Sequence, residues 1–236
     1  MIAPTLVAGC LPSDTFSGQR SIEYNFRTTD HDWEPGFANF HPDQEESLDL
    51  VAGHEPLPGS LNDPGSGLFI AGTNHPDDLF MFWKGRYGEL QEGRRYRVEF
   101  FVEFVTEAPS GCAGIGGAPG ESVYLKAGAT AQEPTPLVEG EGEEAYVVMN
   151  IDKGNQAVEG TDARILGHIG NSASECTDLV WEFKILEGHE PFEVVADGQG
   201  AVWLFVGTDS GFEGRTRLYY TRFRATFHPL QGTGPG

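Results

Sequence analysis

A chain of 236 residues with 39% hydrophobic and 11% aromatic content has enough apolar material for one large β domain or two small ones, which excludes wholesale disorder. Its 36 acidic residues outnumber 15 basic ones for a net charge of −21, a field that repels phosphate backbones and argues against a nucleic-acid partner. Gly (32) and Pro (15) approach twice ordinary usage, selecting many turns between short strands, and no apolar run reaches the roughly 18 residues of a membrane-crossing helix.

The N-terminal Thr5-Leu6-Val7-Ala8-Gly9-Cys10 resembles a bacterial lipobox, in which small residues precede a lipidated cysteine. Residues 1–20 therefore read as an arm and polar tether with Cys10 as the lipidation candidate, and with it the only route to a membrane. Only nine residues precede Cys10 and none is basic, so a chance cysteine in a free arm is the alternative. Beyond the arm, short strands are expected at 22–26, 47–51, 68–71, 79–83, 96–105, 122–127, 145–151, 180–186, 192–196, 201–206 and 218–227. Residues 161–169 suit one or two helical turns.

The clearest period-two signal places Tyr96, Val98, Phe100, Val102 and Phe104 on one face, opposite Arg97, Glu99, Phe101 and Glu103. Residues 201–206 are apolar throughout, as in a central strand buried on both faces. The arginines at 215, 217, 222 and 224 alternate with apolar residues and read as a paired solvent face. One domain over 21–227 follows, with a Gly/Pro-rich tail, 228–236, expected to be disordered. Cys112 and Cys176 sit in Gly/Ser-rich stretches with no CxxC or Cys/His spacing, so a single loop-to-loop disulfide in an oxidising, exported setting is expected.

Three stretches carry a resemblance. Ile22-Glu23-Tyr24-Asn25-Phe26 with Trp33-Glu34-Pro35-Gly36-Phe37, then Leu90-Gln91-Glu92-Gly93-Arg94-Arg95-Tyr96-Arg97-Val98, then 218–226, resemble in order the first, central and closing strands of galactose-binding-like jelly rolls. The resemblance implies an all-β, antiparallel jelly-roll β-sandwich, a non-catalytic carbohydrate-binding role and often a structural calcium. Thr221 stands where that family commonly has Asp, and the insert 106–175 is longer than usual. Tyr124-Leu125-Lys126-Ala127-Gly128-Ala129-Thr130-Ala131-Gln132 is also similar to a strand of alginate lyases. Thr130 replaces the proton-transferring Tyr there, so the stretch reads as an alternating strand with Lys126 outward.

Several loops carry oxygen-rich sets. Asp30, Asp32 and Glu34 ahead of Gly36 have the spacing of a calcium-wrapping loop, against a plain solvated turn. Asp209 and Glu213 follow the most apolar strand and suit either a metal, sugar hydroxyls or hairpin geometry. Asn74, His75 and Asp77, in a polar loop before residue 79 where Asp78 suits a turn cap, Asp152 and Asn155 at a strand exit, and Lys126 are the candidate polar contacts to a sugar. Trp33 and Tyr87, flanked by polar and Gly residues, are the expected sugar-stacking platforms, while Trp83 and Trp181 are expected in the core. No Gly-x-Ser-x-Gly elbow, His-Glu-x-x-His helix or phosphate cradle occurs.

The reading is an extracellular or cell-surface protein that binds a polysaccharide without cleaving it, with structural calcium and no organic cofactor. A surface structural or adhesive protein and a polysaccharide lyase or hydrolase are the alternatives. An enzyme requires a cleft of convergent ionisable groups, a binding module an exposed aromatic strip, and an adhesive protein an apolar patch or open sheet edge.

Overall fold

Alternation of period two sorts the long strands' side chains between a shared interior and two outer faces. The structure is a computed structural model describing residues 18–75, 78–174, 176–177, 179–188 and 190–231; Cys10 and Asp77 lie outside these. In chain order the strands are β1 (Arg20–Asn25), β2 (Glu34–Ala38), β3 (Val51–Pro56), β4 (Ser66–Thr73), β5 (Leu79–Tyr87), β6 (Arg95–Thr106), β7 (Val123–Thr130) and β8 (Pro136–Glu139). They continue as β9 (Tyr146–Met149), β10 (Gly154–Asn155), β11 (Val158–Glu159), β12 (Ala163–His168), β13 (Glu182–Glu187), β14 (Phe192–Val195), β15 (Val202–Ser210) and β16 (Arg215–Pro229).

The front sheet runs β13-β6-β16-β4-β3, with β1 adding to β16 and β14 to β6; the back sheet runs β12-β7-β15-β5-β2. Neighbours pair antiparallel. Strands β4, β16, β6 and β13 thus oppose β5, β15, β7 and β12, and the chain repeatedly crosses between the sheets. That order is a jelly roll, with β3 and β2 widening it. Met81, Trp83, Leu125, Leu204 and Val206 from the back meet Val98, Phe100, Phe104, Leu218 and Phe223 from the front in one core.

Strand β16 keeps its alternation across a bulge. The register against β6 shifts between Tyr220 and Arg222, so Thr221 is the extra residue and Phe223, Ala225 and Phe227 return to the core. The Thr221 hydroxyl donates to the Glu103 carbonyl (3.1 Å) and Oε1 (2.9 Å), fixing the bulge in place.

Three local expectations differ. Residues 47–51 split between a 3-10 turn, Pro42–Leu48, and β3; Pro42 starts the turn, and Asp49 at φ 49° ends it. Residues 163–168 form β12 rather than helical turns, because the ladder to β7 outweighs a weak local pattern. The sheet continues past 227: His228 and Pro229 belong to β16, and the Leu230 amide donates to the Arg95 carbonyl at 3.0 Å.

The segment 131–162 folds as a flap of two hairpins, β8–β9 and β10–β11, over the outer face of the back sheet. Under it Phe80, Phe82 and Phe205 pack with Ile151 and Ala163 as a second core. Phe40 bridges to Val147, tying the first hairpin to the chain beyond β2. The front sheet's outer face is partly open: Glu103 and Val105 of β6 are buried on it, while β1 and β13 alternate between half-buried and exposed residues.

A disulfide joins Cys112 to Cys176 across 64 residues, with Cα atoms 5.6 Å apart. Closing a loop of that length restricts the unfolded chain by about 4 kcal/mol. The Cys112→Ser/Cys176→Ser protein is expected to lose about that much stability in urea denaturation. A loss below about 1 kcal/mol would contradict the loop-closure account.

Candidate functional site

The expected sugar platforms are core residues. Trp33 is 4% exposed, with ring centroids 5.2 Å from Tyr24, Phe26 and Phe223. A Cβ on Gly85 would lie 2.4 Å from the indole nitrogen, so only glycine admits this ring. Tyr87 is 7% exposed and stacks on Phe227 at 5.3 Å. Both were expected at the surface because their sequence neighbours are polar; β1, returning to pair with β16, brings the rings that cover Trp33. Trp83 is in the core as expected, but Trp181 is half-exposed.

The oxygen-rich loops also separate. The Asp30 carboxylate accepts the Asp32 amide at 3.2 Å as a turn, and Glu34 lies 3.7 Å from the Lys84 ammonium. Asn74 is buried and donates to the carbonyls of Ser210 (3.0 Å) and Phe212 (3.1 Å), a structural staple. His75 is exposed, its Nε2 2.9 Å from the Ser47 carbonyl. Asp152 accepts the amides of Gly154 (3.1 Å) and Thr161 (2.9 Å), shaping the hairpin that holds the exposed Asn155. Glu213 is half-buried, its amide bonded to the Ile115 carbonyl. Among the described residues no three His, Cys, Asp or Glu side chains converge on a metal position, and Asp209 is already neutralised by two ammonium groups. These acidic residues do not fit a calcium ion.

Lys126 does point outward from the main core, but it is fully buried because the flap closes over it, which takes it out of reach of a sugar. Its ammonium donates to Asp209 Oδ2 (2.7 Å) and to the carbonyls of Lys153 (3.0 Å) and Val158 (3.1 Å) in the second hairpin. Lys153 Nζ (2.8 Å) and the Gln156 amide (2.9 Å) complete three donors to Asp209 Oδ2. Burial works against the Asp209 charge, but the ammonium groups and a hydrogen bond from Asp78 hold its pKa below the usual range. Burial lowers the Lys126 pKa in turn. Burial and the neighbouring Asp209 push Asp78 up to about 7, so below neutral pH it is the protonated partner, with Asn39 donating to its Oδ2. These ionisable groups converge, but under a closed flap.

The front sheet's outer face is the open counterpart. Across β4, β16, β6 and β13 the register aligns Phe69, Tyr219, Val105 and Phe183 in one row. Tyr219 lies 4.8 Å from the Phe69 ring and 5.4 Å from Trp181, edge-to-face with the latter. Arg217 sits over Trp181 (5.3 Å) and is held by two bonds to Glu107, one of 2.9 Å. Below, Arg27 lies over Phe183 (4.9 Å), and Arg222 and Arg224 over Phe101 (5.3 and 4.5 Å). Glu103 takes Arg222 at 2.8 Å and Arg27 at 3.6 Å; burial raises its pKa, and these bonds with Thr221 lower it further than that. Sequence reading missed this strip, although the alternation 215, 217, 219, then 222, 224 signalled it.

No protein-family model matches the chain, and no curated protein shows a significant match. Among solved structures it is similar to the CBM22-1–GH10 modules of Clostridium thermocellum endo-1,4-β-D-xylanase 10B complexed with xylohexaose: 12% identity, TM-score 0.35, covering 93% of this chain and 29% of that one. TmCBM61 in complex with β-1,4-galactotriose matches at 8% identity and TM-score 0.32, covering 82% and 87%. The K1 cleaved adhesin domain of Lys-gingipain from Porphyromonas gingivalis W83 matches at 10% and 0.32, covering 90% and 99%. The chain spans under a third of the xylanase's length. The strand order itself defines the class: this is an antiparallel jelly-roll β-sandwich.

Asp78 makes stability depend on pH. Its folded pKa, about 7, lies above the ordinary 3.8, so the native state holds the extra proton between those values. The stability it contributes is complete below about pH 4 and is lost as pH rises through about 7. Asp209, with a lowered pKa, acts oppositely and only below about pH 4. Asp78→Asn mimics the protonated acid. Its melting temperature is expected to exceed the parent's by several degrees at pH 8, with the gap closing towards pH 5. Parallel melting curves across that range would contradict this assignment.

Proposed function

We propose that this is an extracellular, non-catalytic glycan-binding protein that holds a neutral polysaccharide on the outer face of its front sheet. The observation that carries the reading is a group of partly exposed rings on the front sheet: Phe69 of β4, Tyr219 of β16, Trp181 just ahead of β13 and the 39%-exposed Phe183 of β13, with the buried Val105 of β6 beneath them. A sugar presents an apolar C–H face to an aromatic ring and hydroxyls at its rim. Arg217 and Arg222, pinned by the buried Glu107 and Glu103, present donors to those hydroxyls without reorganisation.

Two further features support it. The net charge of −21 disfavours anionic polymers. A disulfide is a bond of oxidising compartments, which agrees with an exported protein. Against a hydrolase or lyase, the convergent group around Asp209 is buried, and Glu103 and Glu107 beside the strip are buried and each engaged by arginine.

Shallow stacking implies dissociation constants in the micromolar to millimolar range, on the order of −4 to −8 kcal/mol. Affinity electrophoresis over neutral polysaccharides should retard the protein on at least one. Trp181→Ala and Tyr219→Ala should each weaken that binding at least tenfold while melting cooperatively, and Trp203→Ala, on the back sheet, should not. Undiminished binding by both front-sheet variants would refute the site. Release of reducing ends or unsaturated sugars would instead establish an enzyme.

A further inference from the structure

Beneath the flap, the back sheet carries a set of reactive groups that glycan binding leaves unused. Asp209 on β15 pairs with Phe80 on β5; on the other side Gly207, two residues earlier, pairs with Lys126 on β7. Alternation therefore puts Lys126, Asp209 and Phe80 on one face of three neighbouring strands. Asp78, two residues ahead of Phe80, completes the row and shares a hydrogen bond with Asp209. A carboxyl thus stands between an amine and a second carboxyl.

The approach is close and dry. Neither Lys126 nor Asp209 has solvent exposure, and Lys126 Nζ lies 2.7 Å from Asp209 Oδ2. Asp209 Oδ1 accepts no N–H donor, which leaves it to the proton of Asp78. Groups fixed at this distance react as one molecule, the entropy cost of their meeting being borne by the fold. Burial disfavours both charges and lowers the Lys126 pKa towards the free amine, and condensation removes the two charges together. Lys153 reaches the same oxygen at 2.8 Å, but it comes from the flap and sits over the Phe80 ring at 4.9 Å, which favours its ammonium form.

We propose that Lys126 and Asp209 condense into an intramolecular isopeptide bond, with Asp78 as proton relay, joining β7 to β15 beneath the flap. Asp209 takes one proton from the Lys126 ammonium, and the free amine attacks Asp209 Cγ. The C–O bond breaks as Asp78 protonates the departing hydroxyl, which leaves as water, and Asp78 recovers a proton from the nitrogen. One N–C bond forms and one C–O bond breaks, the nitrogen keeps one hydrogen, and no oxidant or co-reactant is needed. The amide N–H retains one of the flap carbonyls, of Lys153 or Val158, that the ammonium held. Lys153 keeps Asp78 as its neighbouring acid.

Intact mass spectrometry and peptide mapping test this on the full chain, held folded for a day at pH 6. The parent should weigh one water, about 18 Da, less than its sequence, with the Lys126 and Asp209 peptides joined. Asp78→Asn should link at least tenfold more slowly, and Lys126→Arg or the parent kept unfolded in guanidinium should retain full mass. Melting of Asp78→Asn against its parent is compared on protein of undiminished mass, since the link itself adds stability. A folded parent at full mass would overturn the proposal. So would linkage through Lys153, a loss mapped to a cyclic imide at Asp197-Gly198, or equal linkage in Asp78→Asn or in guanidinium.

Discussion

Asp209 is the point on which the arrangement of faces depends. A carboxylate without solvent exposure is destabilising by several kcal/mol unless its partners are held in place. Here one partner, Lys126, comes from the neighbouring strand, and the others, Lys153 and the Gln156 amide, come from the flap. The charge on the sheet thus demands the flap, and the flap's ammonium demands the sheet. Neutralising one member strands the others, a cost of roughly 3–5 kcal/mol, so the flap closes as part of the fold. Closure hides Phe80, Phe82 and Phe205 and so removes most of the back sheet's outer face from recognition, Trp203 at its margin staying half-exposed.

The front sheet follows a different logic. Its outer arginines and carboxylates pair laterally across strands, as Arg222 does with Glu103 and Arg224 with Glu23, so the face remains charged yet locally neutral. Two guanidinium groups lie over Phe101, one each over Trp181 and Phe183, and none over Phe69 and Tyr219, which makes the Phe69–Tyr219 pair the barest part of the platform. Rings fixed on paired strands lose little freedom when a ligand arrives.

Much of the architecture was legible because strand alternation is a local property. The period-two runs in β6 and β16, the apolar run of β15 and the pairing of two loop cysteines all appear in the structure. What was not legible depends on contacts distant in sequence. Lys126 alternates like a solvent-facing residue, and only the flap, some thirty residues on, makes it interior. Trp33 sits among charged neighbours, yet the rings that bury it include Phe223, far along the chain. Thr221 looks like one more strand residue until its bulge is seen to restore the inward phase of Phe223. Trp181 misled in the opposite direction: an apolar stretch, Leu179-Val180-Trp181, lies at the surface beside the loop disulfide.

The central claim is that recognition occurs on the front sheet and not on the covered back sheet. The four tryptophans divide well for this purpose: Trp33 and Trp83 are buried, Trp181 borders the front strip, and Trp203 is half-exposed on the back sheet. Fluorine NMR of 5-fluorotryptophan-labelled protein, titrated with oligosaccharides of a polymer that retards it, reads each face separately. The account predicts that the Trp181 resonance shifts with saturation while Trp203 and the two buried residues hold their positions. A saturable shift of Trp203 with Trp181 unmoved would contradict it.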